Sequence, residues 1–137
     1  MGIMKRLVIL FLLFVSGFIF SGCAEQAYIV FNRNPITRDN VLDANYVFGI
    51  GERVYYLVTI PERSVTGRIY VQVFKRDNKE ARYGYKLVYG KDVKLKQEEE
   101  FYYTDYFVFN ETGVYEFKVY NKDNPTKELT SNIVQIR

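Results

Sequence analysis

The chain has 137 residues, with 19 Lys and Arg against 16 Asp and Glu, 48% hydrophobic residues and 18% aromatic ones. That composition excludes a disordered segment, and the absence of histidine together with a lone cysteine, Cys23, excludes histidine-based triads, His/Cys zinc sites and an intramolecular disulfide. Nucleic-acid binding is excluded as well, because Lys5 and Arg6 account for two of the three net positive charges and the rest of the chain carries only +1, far from the clustered charge such binding rests on.

Lys5-Arg6 forms a short basic head, and Leu7–Phe20 is a 14-residue uncharged stretch dominated by Leu, Ile, Val and Phe. As a helix it would span about 21 Å, short of the ~30 Å hydrocarbon core of a bilayer. A basic head, a short apolar run and small residues at its end read as a secretory signal over residues 1–22 rather than as a spanning helix. The residues Phe20-Ser21-Gly22-Cys23 resemble the lipobox of bacterial lipoproteins. The resemblance implies cleavage between Gly22 and Cys23, a diacylglyceryl group on the Cys23 thiol, and two or three acyl chains at the new terminus. One chain anchors only marginally, whereas two or more hold firmly. The family prefers Leu where this chain has Phe20. Ala24 and Glu25 follow with no Asp after the cysteine, which by the same resemblance favours the outer over the inner membrane of the cell envelope. A bystander cysteine after an ordinary cleavage site and an uncleaved anchor helix are the alternatives. Residues 23–26 would form the lipidated terminus and a short tether.

Residues 27–137 read as one β domain, because apolar residues recur with period two and β-branched and aromatic types dominate. The predicted strands are Tyr28–Asn32, ended by Asn34-Pro35; Val47–Ile50, closed by Gly51-Glu52; and Arg53–Ile60, stopped at Pro61. Gly67–Lys75 follows, with Ile69, Val71 and Val73 on one face. Next come Arg82–Tyr89 and Asp92–Gln97, separated by Gly90-Lys91. Phe101–Asn110, then Gly113–Asn121 with Tyr115, Phe117 and Val119 inward, and finally Asn132–Ile136 complete the set. No stretch after Phe20 holds helical spacing. Seven to nine short strands predict an all-β, antiparallel two-sheet sandwich.

The segment Asn110-Glu111-Thr112-Gly113-Val114-Tyr115-Glu116-Phe117 resembles the corner before strand F of immunoglobulin-like domains. There a Tyr hydrogen-bonds back to the upstream backbone, and a Cys often stands two positions later. Tyr115 matches the Tyr and Phe117 occupies the Cys position. The resemblance implies a cysteine-free Ig-like or fibronectin-like sandwich.

Catalytic constellations are absent from the sequence. Ser64 and Ser131 are the serines after the signal, and neither has a histidine to activate it. Glu98-Glu99-Glu100 reads as a solvated turn rather than as a carboxylate pair across a cleft, and the Asp/Asn turns lack Ca²⁺-loop spacing. The expectation is therefore no enzyme, no cofactor and no metal. What stands out is tyrosine. All 13 come after the signal, and Tyr70, Tyr83, Tyr85, Tyr89, Tyr102 and Tyr106 are expected on strand faces opposite the core. They form either cross-strand pairs on a half-exposed sheet or a flat aromatic face for a partner. Lys91, Lys94 and Lys96 flank Val93 and Leu95, a pattern suited to a sheet edge.

The sequence thus reads as a cell-envelope lipoprotein, held at a membrane through Cys23, whose Ig-like domain binds another envelope protein or a surface ligand. A carbohydrate- or cell-wall-binding module using the tyrosine face is the alternative. Cys23→Ser is expected to abolish incorporation of labelled fatty acid and lipoprotein-type cleavage; an acylated variant would show the lipobox reading to be wrong.

Overall fold

Strands form wherever apolar residues alternate with polar ones. In the computed structural model, which describes residues 26–61, 66–76, 84–96 and 101–137, these are β1 (Ile29–Asn32), β2 (Val47–Phe48), β3 (Arg53–Thr59) and β4 (Arg68–Arg76), followed by β5 (Tyr85–Lys94), β6 (Tyr102–Val108), β7 (Gly113–Asn121) and β8 (Glu128–Ile136). The expected signal segment, Cys23 and Tyr83 lie outside the described residues. Two sheets result, one ordered β1-β3-β6 and the other β2-β8-β7-β4-β5. All pairings are antiparallel except that of the two-residue β2, which runs parallel to β8. This order places β1, β3 and β6 as strands A, B and E, and β8, β7, β4 and β5 as G, F, C and C′, of an Ig-like sandwich.

The core is the set of inward residues dictated by the pleat. Val54, Tyr56 and Val58 of β3 face Ile69, Val71 and Val73 of β4 and Tyr115, Phe117 and Val119 of β7, all buried. Phe117 is fully buried, and its ring lies 5.0 Å from that of Phe31 and 5.3 Å from that of Tyr56. β3 and β7 are the strands that antibody domains join by a disulfide; here Tyr56 and Phe117 make the inter-sheet contact instead. Tyr115 sits at the start of β7 and donates its hydroxyl proton to the Glu111 carbonyl at 2.9 Å, which ties the turn after β6 to the core. Asn132 of β8 faces inward too, and its amide donates to the Ile29 carbonyl at 2.8 Å, a polar link between the sheets.

The strands differ from expectation in two places. Arg82–Tyr89 and Asp92–Gln97 are not two strands with a Gly90-Lys91 turn; β5 runs unbroken through Gly90. The glycine is there for space, since a Cβ at position 90 would run into the Tyr70 hydroxyl from β4. The last strand begins at Glu128 rather than Asn132, because β7 offers it partners as far as Tyr120. Phe117→Ala is expected to cost about 3–5 kcal/mol in a denaturant melt, as loss of a fully buried aromatic does.

Candidate functional site

With one face of every strand committed to the core, the surplus aromatics fall on two outer faces of different character. On the three-stranded sheet the pleat turns Tyr55 and Leu57 of β3 outward beside Tyr106 and Thr104 of β6, with Val30 of β1 next to Leu57. Tyr55 and Tyr106 are cross-strand partners with rings 5.6 Å apart. Tyr102 and Val108 end the outward row of β6 and are exposed. Arg53 supplies this face with its charge; its guanidinium lies 4.8 Å from the centre of the Tyr106 ring and 3.3 Å from the Tyr55 hydroxyl. Two strands of seven residues and one of four give a face roughly 24 Å long and about 14 Å across at its widest. Contiguous exposed patches with little charge are where interaction surfaces are found.

The outer face of the five-stranded sheet carries more charge, and two of its aromatics, Phe74 and Tyr70, are capped while Tyr85 stays exposed. Lys118 lies 5.5 Å from the centre of the Phe74 ring, and Lys122 lies 4.9 Å from that of Tyr70 while pairing with Asp92 at 3.1 Å. At the end of this face, Tyr70, Gln72 and Tyr120 join Lys122, Pro125 and Thr126 around a shallow cleft of about 490 Å³.

The expected tyrosine face is therefore divided. Tyr102 and Tyr106 lie on the three-stranded sheet, and Tyr70 and Tyr85 lie at opposite ends of the five-stranded one. Tyr89 is not on an outer face at all. A bulge opposite Val73 and Phe74 adds one residue to β5, so Tyr89 turns inward against Phe107, 4.9 Å away, while Tyr85 turns out. Tyr83 lies outside the described residues. Tyr55 was not among the candidates, although the alternation in Arg53–Ile60 puts it outward as firmly as it puts Tyr56 inward.

A third cluster closes the open edge of the sandwich. β5 and β6 are edge strands of their sheets, and Lys91 and Asp105 turn inward from them, Nζ to Oδ2 at 3.1 Å. Tyr103 donates to the same oxygen at 2.9 Å, and the Tyr106 amide donates to Oδ1 at 2.8 Å. Burial pulls the Asp105 carboxyl upward, but the Tyr106 amide, the Tyr103 hydroxyl and the Lys91 ammonium outweigh it and hold the group below the ordinary carboxylate range. Burial, then the bond to Asp105, pushes the Tyr103 phenol up to about 12. Burial first, then Tyr103 and Asp105, raises Tyr56 further. None of these groups changes charge near neutrality, so the cluster acts as a clasp, and inward charges also blunt both edges against strand addition. Lys94, by contrast, is exposed. Among the described residues no three His, Cys, Asp or Glu side chains gather as a metal site.

No protein-family model matches the chain, and no curated protein matches it either. Several solved structures are similar to the chain. The CARDB domain of a Pyrococcus furiosus protein, determined with di-metal ions, is 15% identical over 82% of this chain and 86% of that one, with a TM-score of 0.43. An immunoglobulin-like protein of Pseudomonas aeruginosa is 11% identical over 85% of this chain and all of its own (100%), TM-score 0.42. A superoxide reductase (neelaredoxin) of Ignicoccus hospitalis is 7% identical over 82% of this chain and 81% of that one, TM-score 0.46. With an enzyme among the structures to which the chain is similar, the expectation that the chain is no enzyme does not stand. At such identities the likeness is one of fold, and no activity passes with it.

Asp105→Asn is expected to lower stability by about 1–2 kcal/mol near neutral pH. A carboxyl held below its unfolded value stabilises above that value and loses its contribution as pH falls through the folded one. The gap between variant and wild type is therefore expected to close below about pH 4. Denaturant melts across that range check it, and a gap independent of pH would show that the carboxylate charge contributes nothing.

Proposed function

We propose that this domain is an interaction module, held at the surface of a membrane in the cell envelope by a lipid on Cys23, and that it receives an envelope protein on the outer face of its three-stranded sheet. The observation that carries this is the pairing of Tyr55 with Tyr106 on a face where Arg53 is the charged residue and Tyr106 is 45% exposed. Tyr offers a large, stiff contact area with a polar tip, and such rings act as anchors at the centre of interfaces. One edge of each sheet, β5 and β6, carries the Lys91–Asp105 clasp, which disfavours strand addition along that side. The lipid anchor is supported by Phe20-Ser21-Gly22-Cys23 directly after the apolar run.

A photo-cross-linking residue at Thr104 in living cells is expected to capture a discrete envelope protein, and one at Lys118 on the opposite face is expected not to. With that partner identified, Tyr55→Thr combined with Tyr106→Thr should weaken its binding about 30-fold or more. The same change should cost stability by only about 0.2–1 kcal/mol. Unchanged affinity in a folded double variant would retire this face as the site.

The cleft favours a second reading, a carbohydrate ligand. Tyr70 and Tyr120 are cross-strand partners that present rings beside the Gln72 amide, the combination of stacking surface and convergent polar groups that suits a sugar. Glycan-array binding lost on Tyr120→Ala and kept in the Tyr55/Tyr106 variant would select it.

A further inference from the structure

The end of the sandwich at which β1 begins carries an aromatic cluster that the sheet faces do not account for. Tyr28, just before β1, exchanges hydrogen bonds with Thr59: the Thr59 amide donates to the Tyr28 carbonyl at 3.0 Å, and the Tyr28 amide donates to Thr59 Oγ1 at 2.8 Å. Thr59 is in register with Tyr102, and the next residue, Ile60, donates to the Phe101 carbonyl at 2.8 Å. Tyr28, Phe101 and Tyr102 are thereby held at one rim of the three-stranded sheet, and they are 48%, 66% and 47% exposed. Phe101 belongs to no outward row, and the Tyr55/Tyr106 pair does not cover it.

The chain leading to this rim comes from Cys23. Four residues, Ala24 to Ala27, separate Cys23 from Tyr28, so a lipid on Cys23 keeps Tyr28 within about 18 Å of the bilayer surface even with the chain fully extended. Uncharged aromatic side chains with hydroxyl tips are the type that settles at the boundary of headgroups and acyl chains. We propose that this rim docks on the lipid surface itself, with Phe101 entering the interface and the two tyrosines flanking it, so that the domain stands on its membrane by the end from which β1 starts. The inference rests on the lipoprotein reading of Cys23. Arg137, held beside β2 by the bond from its amide to the Phe48 carbonyl, lies at the opposite end and faces away from the bilayer, where a partner can reach it.

The test uses the full, processed chain in phosphatidylcholine vesicles with brominated acyl chains. A lipidated Cys23 has no free thiol, so a fluorophore on Phe101→Cys or on Arg137→Cys is the sole label in each protein. The label at 101 is expected to lose about half its emission or more in brominated over plain lipid. The label at 137 should be unchanged, and the loss at 101 should disappear when Tyr28→Ser and Tyr102→Ser are added. Equal quenching at both positions, or none at 101 in a chain whose Cys23 is shown to be acylated, overturns the docking and leaves the lipoprotein reading standing. A parent chain whose Cys23 takes up the label overturns both. Quenching-independent, concentration-dependent protection of 101 in detergent would mean that a second copy covers the rim, which also overturns the proposal.

Discussion

Phe117 is the residue on which both sheets close. Its ring stands between Phe31 and Tyr56 of the three-stranded sheet, with Phe109 6.1 Å away, and it occupies the strand-F position from which antibody domains send a disulfide to strand B. A disulfide acts largely by constraining the unfolded chain, whereas an aromatic contact acts by excluding water from the folded one. The consequence is that this sandwich depends on continuous inward packing. From Phe109 the ring contacts run on to Phe107, then to Tyr89, so the aromatic core extends from the centre to the β5 edge.

That edge is also where the apolar core ends. Between β5 and β6, Lys91 and Asp105 place an ion pair that keeps one end in solvent, the lysine being 43% exposed. Partly exposed pairs of this kind contribute modestly. Their position matters more, because charges turned inward at an edge make pairing with another strand unfavourable. The clasp blunts this side of both sheets, and their outer faces are not alike. Lysines lie over Phe74 and Tyr70 on the five-stranded sheet; on the three-stranded sheet Tyr102 stays 47% exposed and Tyr55 leans on Tyr106.

The far end of β1 has its own organisation. Asn32, buried at the end of the strand, donates to the carbonyl of Asp43 at 2.9 Å and accepts from the Asn34 amide at 3.0 Å. The loop between β1 and β2 is gathered around this side chain. Arg33 then bridges Glu52 at 2.9 Å and the Val47 carbonyl at 2.6 Å, which seats the short β2 against β8. A loop tied down in this way presents a defined surface at the end of the sandwich opposite Tyr28 and Phe101.

The sequence by itself determined where most strands lie and which residues of β3, β4 and β7 face inward. Alternation is a local property of the pleat, so Val54, Tyr56 and Val58, or Tyr115, Phe117 and Val119, are legible wherever polar residues separate apolar ones. It also determined that outward tyrosines would be in surplus, because inward positions were already filled. Which of them meet was decided by tertiary structure alone. Tyr102 and Tyr106 parted from Tyr70 because strand order depends on contacts between segments distant in the chain, which no local period records. Tyr89 turned inward because one bulged residue reverses the parity of β5, and a period of two cannot show where that residue falls. Gly90, which reads locally as a turn, became mid-strand because the Tyr70 ring from β4 needed the space above it. Lys91 reads as an edge lysine, and its edge is real; its inward turn is owed to Asp105, a residue of the other sheet that only folding brings within 3.1 Å.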